Sequence, residues 1–201
     1  MHLASLFWTA LLSHGREEGW QVSVELTDTT EMPSTAMEEL KREVEEIYWA
    51  ASVRIQWLPE GDAVHLPEHA GRVYILDRLP AMLETRLRAF RDKLPMAVSL
   101  GERGSRSAQA IYVSYSAVFE KTSRSTALSP EAMGRAFGRV VAHELAHRFV
   151  SRDHGRTGIL REGFLSSELT GLKNDLRFTE AQLSALHQVA QPILEHASAR
   201  K

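Results

Sequence analysis

The chain has 201 residues, a length that suits one domain able to bury roughly 70% of its unfolded surface without disulfides. Hydrophobic residues make up 43% and charged residues 25%, as in an ordinary globular protein, and the net charge of −2, with basic residues scattered among acidic ones, gives no case for a nucleic-acid partner. Cysteine is absent, so any metal must be held by His, Asp or Glu, and no run reaches the ~18 apolar residues of a membrane span.

In chain order, LASLFWTALL (3–12) supports two readings. It has the length of a signal-peptide apolar region, but only Met1-His2 precede it, without Lys or Arg. It also fits a short amphipathic helix through Leu3, Leu6, Phe7, Ala10 and Leu11. The first reading implies a secreted or periplasmic protein, the second a cytoplasmic one. QVSVELTD (21–28) alternates Val22, Val24 and Leu26 with polar residues and reads as a half-buried strand. A helix should open at Pro33-Ser34-Thr35, with Thr35 and Glu38 as a capping box and Met37, Leu40, Val44, Ile47, Tyr48 and Ala51 on one face. VRIQWL (53–58) is a second strand, so the start of the chain reads as a βαβ unit. RVYIL (72–76) is a third strand.

The segment 80–95, bounded by two prolines, fits either a helix or a long loop. SLGERGSRSAQ (99–109) reads as a loop, and AIYVSYSAVF (110–119), with Ile111, Val113, Tyr115, Ala117 and Phe119 on one side, as a strand. Ser129-Pro130-Glu131 carries three helix-start signals: an N-cap serine, proline at the first position and an acid in the first turn. The helix should run over about 130–150, with Met133, Phe137, Val141, Leu145 and Phe149 as one apolar stripe and Ala136, Val140, His143 and His147 beside it. Gly134 and Gly138 lower its propensity and so point to close packing. A last helix begins at Thr179, where TEAQ is a capping box, and Pro192 bends or ends it.

The chemistry lies in HELAHRFVSRDH (143–154). Residues four apart on a helix leave the same face, so His143 and His147 can grip one ion. Glu144 points about 100° away and can reach a metal-bound water as a general base without being a ligand. This is the content of H-E-x-x-H: two zinc ligands and one base. The plain alternative is a helix with two surface histidines, but these sit on a helix that is otherwise apolar, where unsatisfied imidazoles are costly. A catalytic zinc needs a third protein ligand, and four residues downstream offer one: Asp153, His154, Glu162 and Glu168. The helix must end before either of the first two can swing back, and Ser151 and Gly155 suit that purpose.

VVAHELAHRF resembles the active-site helix of zincin metallopeptidases, and HGRTGILREGF resembles the metzincin segment that carries the third ligand and the Met-turn. The match is to small bacterial metzincin-like proteins with the pattern A-H-E-L-G-H, a short loop, then H-S-P-T-G-I-M-R. It covers about 30 residues. The resemblance implies an α+β fold of zincin type: a twisted mixed β-sheet, a backing helix and the H-E-x-x-H helix, then a small, mostly helical C-terminal subdomain. On that plan a single domain (1–201) divides into an N-terminal subdomain (about 15–151) and a C-terminal one (about 152–201) carrying the third ligand, the Met-turn-like segment and the last helix.

Three departures matter. Val150 stands where the metzincin pattern has glycine. His154 is one residue later than the usual third ligand, a position occupied here by Asp153. Leu160 replaces the Met-turn methionine, a packing floor whose exchange for leucine conserves volume. The H-x-x-x-G-I-[ML]-R spacing of the group favours His154 over Asp153, while REGF resembles the N-E-G-F of gluzincins and would make Glu162 the ligand. The implied activity is that of a one-zinc endopeptidase acting on a peptide or protein substrate, with strand 110–119 bordering the cleft or simply closing the sheet as an edge strand. Two other readings stand beside it: an inactive zincin-like metal-binding protein, and a narrow-specificity gluzincin or toxin-like peptidase. Trp8, Trp20, Trp49 and Trp57 read as packing residues, and Pro67 spoils a second helical pair at His65 and His69. His187 and His196 read as surface residues. The sequence names no substrate-binding residue.

Overall fold

The computed structural model describes residues 20–60, 71–89, 95–100, 109–123, 127–151, 153–173 and 176–188. The expectations for 3–12, Trp8, His65, His69, Pro192 and His196 lie outside them. The chain is α+β, with a five-stranded mixed sheet and six helices among the described residues. In order these are β1 (Trp20–Asp28), α1 (Ser34–Trp49), β2 (Val53–Leu58), β3 (Gly71–Leu76), α2 (Ala81–Arg88), β4 (Ala97–Leu100), β5 (Gln109–Ser114), α3 (Tyr115–Thr122), α4 (Pro130–Phe149), α5 (Ser166–Thr170) and α6 (180–188). None of the described helices is long and apolar enough to cross a membrane.

The strand order is β2-β1-β3-β5-β4, parallel throughout except for the antiparallel β4–β5 pair. The expected βαβ start is present: β1 and β2 are parallel neighbours joined through α1, with Val22 opposite Ile55. Alternate residues of the strands, Trp20, Val22, Val24, Val53, Val73, Ile75, Ile111 and Val113, are buried in one apolar core with α1 and α4. Each large aliphatic side chain buried there contributes roughly 1.5–3 kcal/mol.

Three expectations are corrected, and the open choice after Pro80 is resolved over the described residues. Helix α1 has no side-chain cap: it starts at Ser34, and the Pro33 carbonyl accepts from Ala36 and Met37 N–H, leaving Thr35 inside the helix. Asp28 orders the entry, accepting from Thr30 and Met32 N–H at 2.9 and 2.8 Å. The segment after Pro80 is helical over α2. Ser99 and Leu100, read as loop, belong to strand β4. The strand expected over 110–119 stops at Ser114, whose hydroxyl caps α3 by accepting from Ala117 N–H at 3.3 Å. That strand is also no edge: β5 is bonded to β3 on one side and β4 on the other, and β4 is the last strand of the sheet among the described residues.

Helices α1 and α4 touch closely because two glycines let them. A Cβ at Gly134 would stand 2.4 Å from the Ala36 carbonyl oxygen, and one at Gly138 would stand 2.8 Å from that of Leu40. Between the helices lies a buried ion pair, Arg139 Nε to Glu43 Oε1 at 2.8 Å, with both side chains at most 2% exposed. Arg139 also donates to the Glu168 carbonyl, and Arg135 reaches Glu39 and the Thr170 carbonyl, so the same two arginines tie α5 to α4.

Candidate functional site

Helix α4 begins as its sequence dictates: the Ser129 hydroxyl accepts from Ala132 N–H at 3.2 Å, Pro130 follows and Glu131 lies in the first turn. Its last two turns bring His143 and His147 to one side. His143 is 6% exposed, and its Nδ1–H donates to the Ile159 carbonyl at 2.7 Å. His147 is half-buried, and its Nδ1–H donates to the Ser151 carbonyl at 2.7 Å. A carbonyl has no proton to offer, so each Nδ1 carries one, and in a neutral ring Nε2 is left as a bare lone pair. For His143 neutrality is enforced: burial first, and then the neighbouring His147 and His154, lower its pKa to about 4 against the opposing bond to Ile159. The His143 and His147 Nε2 atoms face each other at 3.0 Å.

The chain then turns back without the glycine of the metzincin pattern. Val150 ends α4 in the right-handed region, with φ −108° and ψ −67°, so no left-handed residue is required there. Asp153 N–H donates to the Ser151 hydroxyl at 3.0 Å, and the next residue presents its ring to the site. A closed loop fixes that return: Gly155 N–H donates to the Leu160 carbonyl at 2.8 Å, Glu162 N–H donates to the Gly155 carbonyl at 3.1 Å, and Gly155 and Arg161 form a bridge. Ile159 N–H donates to the Arg177 carbonyl at 2.8 Å, anchoring the loop to the segment that leads into α6. Gly158 does require glycine, because its φ is +76° and a Cβ would lie 2.6 Å from Gln182 Oε1. Gln182 is itself half of the expected capping box of α6, exchanging bonds with Thr179 at 2.9 and 3.3 Å.

The result is a cluster of three imidazoles. His154 Nε2 stands 3.2 Å from His147 Nε2, and one nitrogen from each of His143, His147 and His154 lies within 4.8 Å of the others. The other sequence candidates are elsewhere. Asp153 and Glu162 are exposed and are not part of the group, and Glu168 is engaged with Arg161 and the Leu165 N–H. Leu160 is buried at 1% exposure in the core below the loop. The aromatic neighbour of the cluster is Phe164, whose ring meets that of His143 in an edge contact at 5.2 Å and has the Arg161 guanidinium over it at 5.4 Å.

These residues fit a metal. Zinc held tetrahedrally at about 2.0–2.1 Å separates its ligand nitrogens by roughly 3.3 Å. The two Nε2 spacings of 3.0 and 3.2 Å are near that value. Converging lone pairs repel one another and are reconciled by a cation. An all-imidazole set suits zinc, copper, iron or nickel rather than calcium or magnesium, which take oxygen ligands.

Glu144 leaves α4 on the adjacent face, as its place in the helix requires. Its Oε2 accepts from the Ser99 hydroxyl of β4 at 2.6 Å. Burial raises the pKa of its carboxyl, opposed by the Ser99 hydroxyl, the neighbouring His147 and the Ser99 backbone N–H. Sequence reasoning missed Ser99, Phe164 and the carbonyls of Ser151 and Ile159. Backbone acceptors carry no sequence signal, whereas Phe164 stands in the REGF motif without any periodicity that ties it to His143. No protein-family model and no curated protein matches the chain.

Proposed function

We propose that this chain is a zinc-dependent endopeptidase of the zincin type, metzincin-like in using His154 as the third ligand. One observation carries the reading: three imidazole nitrogens converge on one point beside a carboxylate that is not one of the ligands. That combination separates metal binding from proton transfer, as metal-assisted hydrolysis requires. His143, His147 and His154 would hold the ion, which when bound supplies Lewis-acid polarisation of the scissile carbonyl and acidifies a water. The Ile159 and Ser151 carbonyls keep the first two rings in the tautomer that points Nε2 inward. Glu144 takes the proton of the attacking water and returns it to the leaving amine, and its burial makes the carboxylate a stronger base.

The substrate-side strand differs from the sequence expectation. With β5 paired on both sides, the strand beside Glu144 whose outer edge is unpaired among the described residues is β4, where an extended peptide would add its backbone hydrogen bonds. Glu162 lies outside the histidine cluster, which gives the gluzincin variant of the reading no support. The test is zinc content and peptide-library cleavage of the wild type and Glu144→Gln. The wild type should bind one zinc and cleave. The variant should keep the zinc and lose turnover by at least about 1000-fold. Zinc binding with no cleavage by the wild type would favour the inactive metal-binding reading. Cleavage of one protein partner with none of the library would favour narrow specificity, and full activity of the variant would overturn the mechanism.

A further inference from the structure

We propose that Ser99 is a positioning residue for Glu144, so that the strand offered to the substrate also aims the general base. This rests on the peptidase reading and adds a residue to it. The carboxylate of a glutamate sits at the end of three rotatable bonds, and a helix position alone does not orient it. A hydroxyl donor on one oxygen removes that freedom and leaves the other oxygen to accept a proton. Ser99 supplies such a donor: its Oγ lies 2.6 Å from Glu144 Oε2, and its strand is packed against α4.

The register explains why a short edge strand can do this. Ser99 pairs with Ile111 of β5, whose side chain is buried against the helices. Side chains alternate along a strand, so Ala97 and Ser99 face α4 while Val98 and Leu100 face away. Ala97 is 7% exposed and Leu100 37%, in keeping with that alternation. The hydroxyl therefore leaves the strand on the helix side, whereas an added peptide would use the backbone groups along its outer edge. One four-residue element serves both tasks: Ser99 bonds Glu144 through its hydroxyl and its backbone, and an added peptide would use the remaining backbone groups of the outer edge.

The two tasks are separable by kinetics. Loss of the hydroxyl should lower kcat and leave KM in place, while damage to the strand would raise KM. The experiment compares wild type, Ser99→Ala and Ser99→Thr, each loaded with zinc, on a peptide that the wild type cleaves. Ser99→Ala should retain one zinc per chain, lose about 10- to 100-fold in kcat and change KM by less than about twofold. Ser99→Thr, which keeps the hydroxyl, should recover most of the loss. An unchanged kcat in Ser99→Ala, a loss confined to KM, or failure of threonine to rescue would overturn the assignment. A wild type with zinc but no turnover on any peptide would instead overturn the peptidase reading, and this assignment with it.

Discussion

His143 and His154 point at the same place but are held by different means. His143 lies on a twenty-residue helix whose other faces are buried against α1 and the sheet, and its own ring is 6% exposed, bonded to the Ile159 carbonyl and packed on Phe164. His154 is exposed and lies past the end of α4, and its place depends on the backbone bonds that close the loop at Gly155, Leu160 and Arg161. The first ring is fixed by the core, the second by a few hydrogen bonds. Metal affinity and fold stability should therefore be coupled in the helix and separable in the loop.

The largest expected effect comes from removing one ligand on each side. His143→Ala and His154→Ala should both lose stoichiometric zinc. Only His143→Ala should also lower the stability of the metal-free protein, by about 1–3 kcal/mol, because it leaves the Ile159 carbonyl unpaired in the core. Elemental analysis with denaturant unfolding of the apo proteins checks both parts. Equal apo stabilities would break the comparison.

A pair of glycine substitutions sharpens it. Gly138→Ala pushes a methyl against the Leu40 carbonyl and the Glu43 side chain, and should cost about 1–3 kcal/mol of stability, read by thermal or denaturant unfolding. Gly158→Ala strains a left-handed residue and crowds Gln182 at the base of the ligand loop. It should weaken zinc binding by about 10- to 100-fold in a competition titration. Its cost in global stability should be the smaller of the two.

The same division governs what could be read from the sequence. Helix α4 was legible from its start signals, its stripe and its glycines because those are local rules. The capping box at Thr179 was legible for the same reason. The pair Arg139–Glu43 was not, because the partners are 96 positions apart and only the packing of α1 on α4 joins them. Strand β4 has four residues, too few for a periodic signal, so its Gly/Ser-rich continuation makes Ser99 read as loop. The alternation of 110–119 ran on past Ser114, where the capping serine and a buried Val118 made the next residues helical. His154 could be named as a candidate, but the return of its ring to the site depends on the Gly155–Arg161 bridge, a contact that spacing alone does not reveal.

The smallest effect is expected at the packing floor. Leu160 is 1% exposed in the core, and Leu160→Met conserves volume, so it should change stability by less than about 1.5 kcal/mol and leave zinc affinity unaltered. A marked gain in affinity or turnover from methionine would mean that this position acts on the metal and not only on the packing.

X-ray absorption or anomalous diffraction on the zinc-loaded chain would read the coordination of the metal itself. One zinc per chain with three imidazole nitrogens, from His143, His147 and His154, at about 2.0–2.1 Å is the expected result. A carboxylate of Asp153 or Glu162 in place of the third imidazole, or no zinc between the histidines, would contradict it.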